Sequence, residues 1–189
     1  MSDHSKRPRH GHRNPDQAAT DSSEKISGPS DRQMRFEKAA LALAEARRRN
    51  RIEDDLPPSN GADLGCGCPI VVEGRRDREA LEALGFTGPI ELVNRGWNTG
   101  RLVAYLHDTY GTRNPVDGDA AIILLMDWDR TGGRLQRQLR ERLESLDVRI
   151  DSETRRMLSI AMKPEGKTVE MLIAFSDKLR PLIDSTDSF

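Results

Sequence analysis

Short apolar runs, each closed by a polar turn and followed by residues with helical spacing, set the pattern of this chain. Pro69 to Gly74 carries the unbroken β-branched trio Ile70, Val71 and Val72, Pro89 to Val93 is a second short run, and Ala121 to Met126 is apolar throughout. Runs without alternation suit strands buried on both faces. Between them lie helical patterns. Ala80, Leu81 and Leu84 mark one over Arg75 to Leu84, stopped by Gly85; Leu102, Val103 and Leu106 mark one over Thr99 to Tyr110. Leu135, Leu139 and Leu143 share a face of a third, from Thr131 or Gly132 to about Leu146, and Val148 to Ile150 reads as a short fourth strand. Strands that alternate with helices predict a parallel sheet covered on both faces. Upstream, Phe36, Ala40, Leu43 and Ala44 fall at helical spacing between Gln33 and about Ile52. Downstream, helices are expected around Thr154 to Met162 and about Thr168 to Leu179.

The predicted organisation is a disordered tail over 1–32, an N-terminal helix over 33–56, a linker over 57–68, an α/β domain over 69–151 and a helical C-terminal extension over 152–189. The tail has almost no large apolar residues to offset its ordering entropy. Pro57, Pro58 and Asn60-Gly61 mark the linker. Arg47, Arg48, Arg49 and Arg51 crowd the end of the first helix, where cations favour the helix dipole.

Composition narrows the classes. Of 189 residues 32% are charged, yet the formal net charge is −1, so a nucleic-acid surface has to be a local patch rather than a global field. No apolar run is long enough to span a bilayer and the N-terminus lacks a signal-peptide core, so a soluble, cytoplasmic protein without a membrane partner is expected. Cys66 and Cys68 are one residue apart, too close for an easy disulfide and too few for a closed zinc site, and are expected to be small turn residues before the first strand.

The candidate chemistry sits where apolar runs end. The third run stops at Asp127-Trp128-Asp129, and the first stops at Glu73. In extended geometry Asp127 and Asp129 point the same way, about 7 Å apart at Cα. In sheets of this type the first and third strands commonly lie side by side, and ligands bind beyond the carboxyl ends of the strands. That would bring Glu73 beside the two aspartates, where mutual repulsion favours a bound Mg2+. The plain alternative is that Asp129 caps the next helix and Asp127 is a turn residue. Arg75, Arg76, Arg78, Arg95, Arg130 and Arg134 surround these points and are candidate phosphate or nucleic-acid contacts, each with a solvated helix face as its alternative. Gly74, Gly132 and Gly133 would let a phosphate backbone come close.

Val71-Val72-Glu73-Gly74-Arg75-Arg76-Asp77 resembles the first motif of the Toprim superfamily, and Asp127-Trp128-Asp129-Arg130-Thr131-Gly132 resembles the second. Their order and separation fit as well, and with Asn94-Arg95-Gly96 and Gly133 the run is most similar to small stand-alone, archaeal-like Toprim proteins. The resemblance covers roughly residues 69–151. It implies a Toprim-like (Rossmann-like) four-stranded parallel sheet flanked by helices. It also implies Mg2+-dependent (or Mn2+-dependent) phosphodiester chemistry on RNA or DNA, by nuclease action or nucleotidyl transfer. Carried over, Glu73 is the general acid or base and a metal ligand, Asp127 and Asp129 are metal ligands, and Asp77 supports them by capping a helix or orienting an arginine; Gly74, Asn94, Gly132 and Gly133 are further supporting positions. No tyrosine-nucleophile, zinc-binding or ATPase domain accompanies the motifs, so a whole topoisomerase or primase is not expected.

Some members of that superfamily keep the fold without catalysis, which leaves a non-catalytic nucleic-acid or nucleotide-binding accessory module as the alternative. Asp127-Trp128-Asp129-Arg130-Thr131 also fits the Asp-x-Asp-x-Thr signature of haloacid-dehalogenase-like phosphatases, but there the motif lies on the first strand. Gly166-Lys167-Thr168 resembles the end of a P-loop, but position 161 is alanine and no strand leads into it.

Overall fold

The computed structural model describes residues 31–52 and 65–187. A first helix, α1 (Asp31–Asn50), precedes β1 (Ile70–Val72), α2 (Arg75–Ala83), β2 (Ile90–Leu92), α3 (Thr99–Tyr110), β3 (Ile122–Leu124), α4 (Arg130–Glu144) and β4 (Ile150–Asp151). Then come α5 (Glu153–Met162), a 3-10 helix (Glu170–Phe175) and α6 (Ser176–Asp187). The four strands form one parallel sheet in the order β2-β1-β3-β4, so the first and third strands are neighbours as expected.

The period of two along each strand divides the core in half. Ile70, Val72, Ile123 and Leu125 face a layer built from α1, α2, α5, the 3-10 helix and α6. Val71, Ile122, Leu124 and Met126 face the layer of α3 and α4, where Leu102, Leu106, Leu139 and Leu143 are buried. Each buried aliphatic side chain of this kind stabilises the fold by roughly 1.5–3 kcal/mol against exposure. Gln136 is the polar exception on α4. Its amide nitrogen donates to Leu124 O at 3.1 Å and its carbonyl accepts from Met126 N at 3.2 Å, which satisfies backbone groups where β3 runs out.

Several expected boundaries change. α1 starts at Asp31 rather than at 33, because Arg32 is held by Glu165 and lies over the Phe36 ring. It ends at Asn50 instead of reaching 56, and the rest of the expected tail and most of the linker lie outside the described residues. Residues 65–68 are pinned rather than loose: Cys66 N and Cys68 N donate to Arg49 O, and Gly67 N to Arg51 O. Neither thiol is in a disulfide: Cys66 Sγ donates to Arg49 O at 3.1 Å, and Cys68 is fully buried, with burial pushing its thiol up to about 12. The last predicted helix divides into the 3-10 helix and α6, which continues through Pro181 to Asp187. Buried Leu179 and Ile183, together with ion pairs made by Asp187, hold α6 past the hydrogen bond that proline removes.

Those ion pairs also correct the dipole account of the arginine cluster. Arg47 is only 4% exposed; it donates to Leu84 O at 3.0 Å and pairs with Asp184 at 2.7 Å and Asp187 at 2.5 Å. Arg49 is likewise buried, donating to Ala120 O at 2.8 Å and pairing with Asp117. Arg47 and Arg49 therefore staple α1 to the α/β domain and to its C-terminal helix. Replacing Arg47 by Met is expected to lower the urea midpoint by an amount worth about 2 kcal/mol, the size of lost charged hydrogen bonds. A role at the helix dipole alone would cost about 0.3–1 kcal/mol.

Candidate metal and phosphoryl site

The register of the sheet assembles the site. Val71 of β1 is level with Leu124 of β3, so the chain leaves both strands at the same edge. Glu73 Oε1 then accepts from Asp127 N at 3.1 Å, which joins two residues 54 positions apart. Glu73 and Asp127 share an open cavity of about 400 Å3 with Gly74, Arg75, Arg76, Asp77, Asn94 and Glu170. The expected convergence of Glu73 with the second acidic motif is therefore observed.

Each acid spends one oxygen on the backbone. Asp77 Oδ2 accepts from Gly74 N at 2.9 Å and so caps α2, the supporting role expected of it. Asp129 is the N-cap of α4, accepting from Gly132 N at 2.7 Å. Asp127 is more than a turn residue: its Oδ1 accepts from Val169 N at 2.7 Å, a bond that reaches 42 residues down the chain. The second oxygens of Glu73, Asp127 and Asp129 make no hydrogen bond among the described residues.

Electrostatics follow from this crowding. Burial raises the Asp127 carboxyl to about 6; the Val169 N–H opposes that, and Asp77, Glu73 and Asp129 add to it. Burial raises Glu73 too, with Asp77 and Asp129 adding to it and the Asp127 N–H and Arg155 opposing. A raised native carboxyl means that the unfolded chain ionises first. Stability is therefore lost as pH climbs from about 4 to about 6 and stays lower above that. Asp127→Asn keeps an acceptor for Val169 and removes the charge. In metal-free buffer at neutral pH it is expected to be more stable than the parent by about 1 kcal/mol after allowance for solvent screening, with the gap closing near pH 4. Thermal melts of both proteins across that range check this.

Arg155, absent from the sequence-derived candidates, is the cation behind the acids. Its Nε donates to Met126 O at 2.9 Å and an Nη to Asp127 O at 2.6 Å, which fixes the backbone that carries the acidic loop. It lies on α5, and nothing in its local sequence distinguishes it from its neighbour Arg156, which pairs with Glu153 on the surface. Trp128 Nε1 donates to Gly166 O at 2.8 Å and Trp128 N to Lys167 O at 2.9 Å. The segment that resembled a P-loop thus serves as a backbone strap on the acidic loop, and the C-terminal extension is part of the site.

The arginine candidates separate. Arg75 and Arg76 are exposed at the cavity, Arg76 in a loose 3.7 Å pair with Glu170. Arg130 and Arg134 are exposed on the first turns of α4. Arg78 turns inward to donate to Ile90 O at 2.6 Å. Arg95 is committed to the fold, donating to Leu92 O at 2.7 Å and to buried Glu91, so it is not a ready phosphate contact. The glycines separate as well. A Cβ on Gly132 would lie 2.2 Å from Asp127 O and 2.7 Å from Glu73 Oε1, so the protein itself requires that glycine. A Cβ on Gly74 would meet nothing within 4 Å, which leaves open space beside Glu73. A Cβ on Gly133 would meet Arg155 Nη2 at 3.7 Å, an ordinary contact. Among the described residues no three His, Cys, Asp or Glu side chains form a ready-made metal cluster, and no helix is long and apolar enough to cross a membrane.

No family model matches the chain. A solved protein from Aquifex aeolicus covers 70% of this chain and 94% of its own at 21% identity and a TM-score of 0.46. Curated relatives are closer in sequence. A UPF0292 protein of Methanosarcina barkeri is 31% identical over 136 residues, 71% of this chain and 86% of its own length. One from Methanosarcina acetivorans is 31% identical over 116 residues, 60% of this chain and 72% of the relative. One from Thermococcus onnurineus is 35% identical over 103 residues, 54% and 69% of the two chains. With identity at this level across most of the relatives' length, the chain belongs to the UPF0292 family.

Proposed function

We propose that this protein carries a Toprim-type site for Mg2+-dependent phosphodiester chemistry on nucleic acid. The observation that supports this best is the meeting of Glu73 with Asp127 at one edge of the sheet, each with its second carboxylate oxygen turned to no protein donor. The donor set suits the metal. Mg2+ takes oxygen ligands, keeps several waters and binds through one or two carboxylates rather than a closed protein cage, and Glu73 and Asp127 line the open cavity together. Asp127 and Asp129 would hold the ion and Glu73 would share it. When bound, the ion would polarise a phosphoryl oxygen and neutralise developing charge.

The chain's own residues do the rest. Glu73, whose carboxyl is raised by burial, is placed at the cavity for proton transfer. Arg75 and Arg76 sit at the rim where phosphate oxygens would enter, and the open face of Gly74 admits the strand. Arg155 and the Val169 N–H hold the acidic loop still while charge changes around it. The test is incubation of labelled single- and double-stranded RNA and DNA with Mg2+, with Mn2+ and with chelator. Products that appear only with metal and vanish in Glu73→Gln uphold the proposal. Retention of the oligonucleotides without products under any condition turns the reading to the accessory binding module.

A further inference from the structure

The loop between β2 and α3 carries a layered stack beside the cavity. Glu91, buried in β2, accepts from Tyr105 Oη at 2.8 Å and Tyr110 Oη at 2.7 Å and pairs with Arg95. The Arg95 guanidinium lies 5.0 Å from the Trp97 ring centroid, and Tyr105 meets that ring edge-on at 5.3 Å. Arg101 lies over the same ring at 4.4 Å. The inner arginine is neutralised by Glu91, whereas the outer one is exposed and has no carboxylate partner among the described residues. Trp97 packs against the α3–α4 core, so the platform is anchored.

Its position links it to the acids. Asn94, three residues before Trp97, lines the cavity with Glu73 and Asp127, and its N–H donates to Glu73 O at 2.9 Å. Three residues of chain span at most about 11 Å, so one strand can touch the cavity and the stack together. An exposed guanidinium held over an indole, with no carboxylate to neutralise it, is a planar cation on which an unstacked base can stack while its backbone meets the charge. A duplex hides the faces of its bases. We propose that Trp97 and Arg101 form a base-stacking platform that directs single-stranded nucleic acid to the Glu73–Asp127 edge. Which bond then lies at the carboxylates rests on the phosphodiester reading; the stacking does not.

The test measures binding of thymidine and uridine oligonucleotides, of the matching duplexes and of an abasic oligomer with the same backbone. It is done in chelator at one fixed salt concentration, so that no metal chemistry contributes. The parent should prefer the base-bearing single strands and quench tryptophan fluorescence on binding them. Trp97→Leu should bind them on the order of tenfold more weakly, with little change for the abasic oligomer, and Trp97→Phe should recover much of the loss. Arg101 is exposed, so Arg101→Met and Arg101→Lys test the platform without risk to the fold. Lysine keeps the charge and loses the plane, and should recover only part. Unchanged single-strand binding in Trp97→Leu and Arg101→Met overturns the proposal, as does full recovery by Arg101→Lys or equal binding of duplex and single strand. A protein that cleaves nothing in metal yet loses single-strand binding in Trp97→Leu upholds the platform and rejects the catalytic reading. One that cleaves with metal but binds through neither residue does the reverse.

Discussion

Glu73→Gln is expected to reduce metal-dependent turnover by about 10²- to 10⁴-fold, the range a positioned acid or base contributes. The substitution is nearly isosteric. The amide oxygen can still accept from Asp127 N, so the link between the ends of β1 and β3 survives and the melting temperature should hardly fall. Removal of one of several crowded carboxylates also relieves repulsion on Asp127. A protein that is as stable as the parent, binds nucleic acid as well and turns over at least a hundredfold more slowly separates chemistry from architecture. Equal turnover in parent and mutant would remove Glu73 from the reaction and with it the assignment of the site. Single-turnover assays at saturating metal make the comparison, because they do not depend on product release.

Gly132→Ala is expected to be the most damaging small substitution at the site. The added methyl would sit 2.2 Å from Asp127 O and 2.7 Å from Glu73 Oε1, so the strain falls on backbone as well as on a carboxylate that is already hydrogen-bonded. The neighbours cannot give way cheaply. Asp127 O is held by Arg155, and Gly132 N is the hydrogen-bond donor to the cap residue Asp129. Overpacking of this kind costs about 3 kcal/mol, and the same displacement would pull Glu73 and Asp127 apart. Denaturant unfolding should show the loss of stability, and metal-dependent turnover should fall with it even at temperatures where the protein stays folded. Gly133→Ala is the control: its methyl would meet only Arg155 Nη2, at 3.7 Å. If Gly132→Ala were as stable and as active as Gly133→Ala, the close approach of α4 to the acidic loop would have no functional weight.

Much of this site follows from spacing alone. An unbroken β-branched run stands as a strand because it has no polar face to turn outward, and Ile70 to Val72 does so. The acids that close the first and third runs were readable for the same reason: charge cannot continue into a buried strand, so it marks the strand's end. Helical periodicity placed α3 over Thr99–Tyr110 and α5 to within one residue at its start. The capping aspartates were open to the sequence because caps depend on near neighbours, whereas the need for glycine at 132 was not: it rests partly on Glu73, far along the chain, and not on the approach of a phosphate.

The tertiary structure decided whatever depended on partners far along the chain. Arg95 and Arg101 look alike in sequence, yet Glu91 claims the first and leaves the second exposed on Trp97. Arg155 and Arg156 are adjacent and chemically identical, but the helical turn sends one to the carbonyls beneath Asp127 and the other to Glu153 at the surface. Arg47 at the end of α1 is a staple only because α6 brings Asp184 and Asp187 to it. A side chain's type and spacing state what it can do. Which buried carbonyl or carboxylate meets it first depends on chain packing, and for long, flexible arginines that choice is not encoded locally.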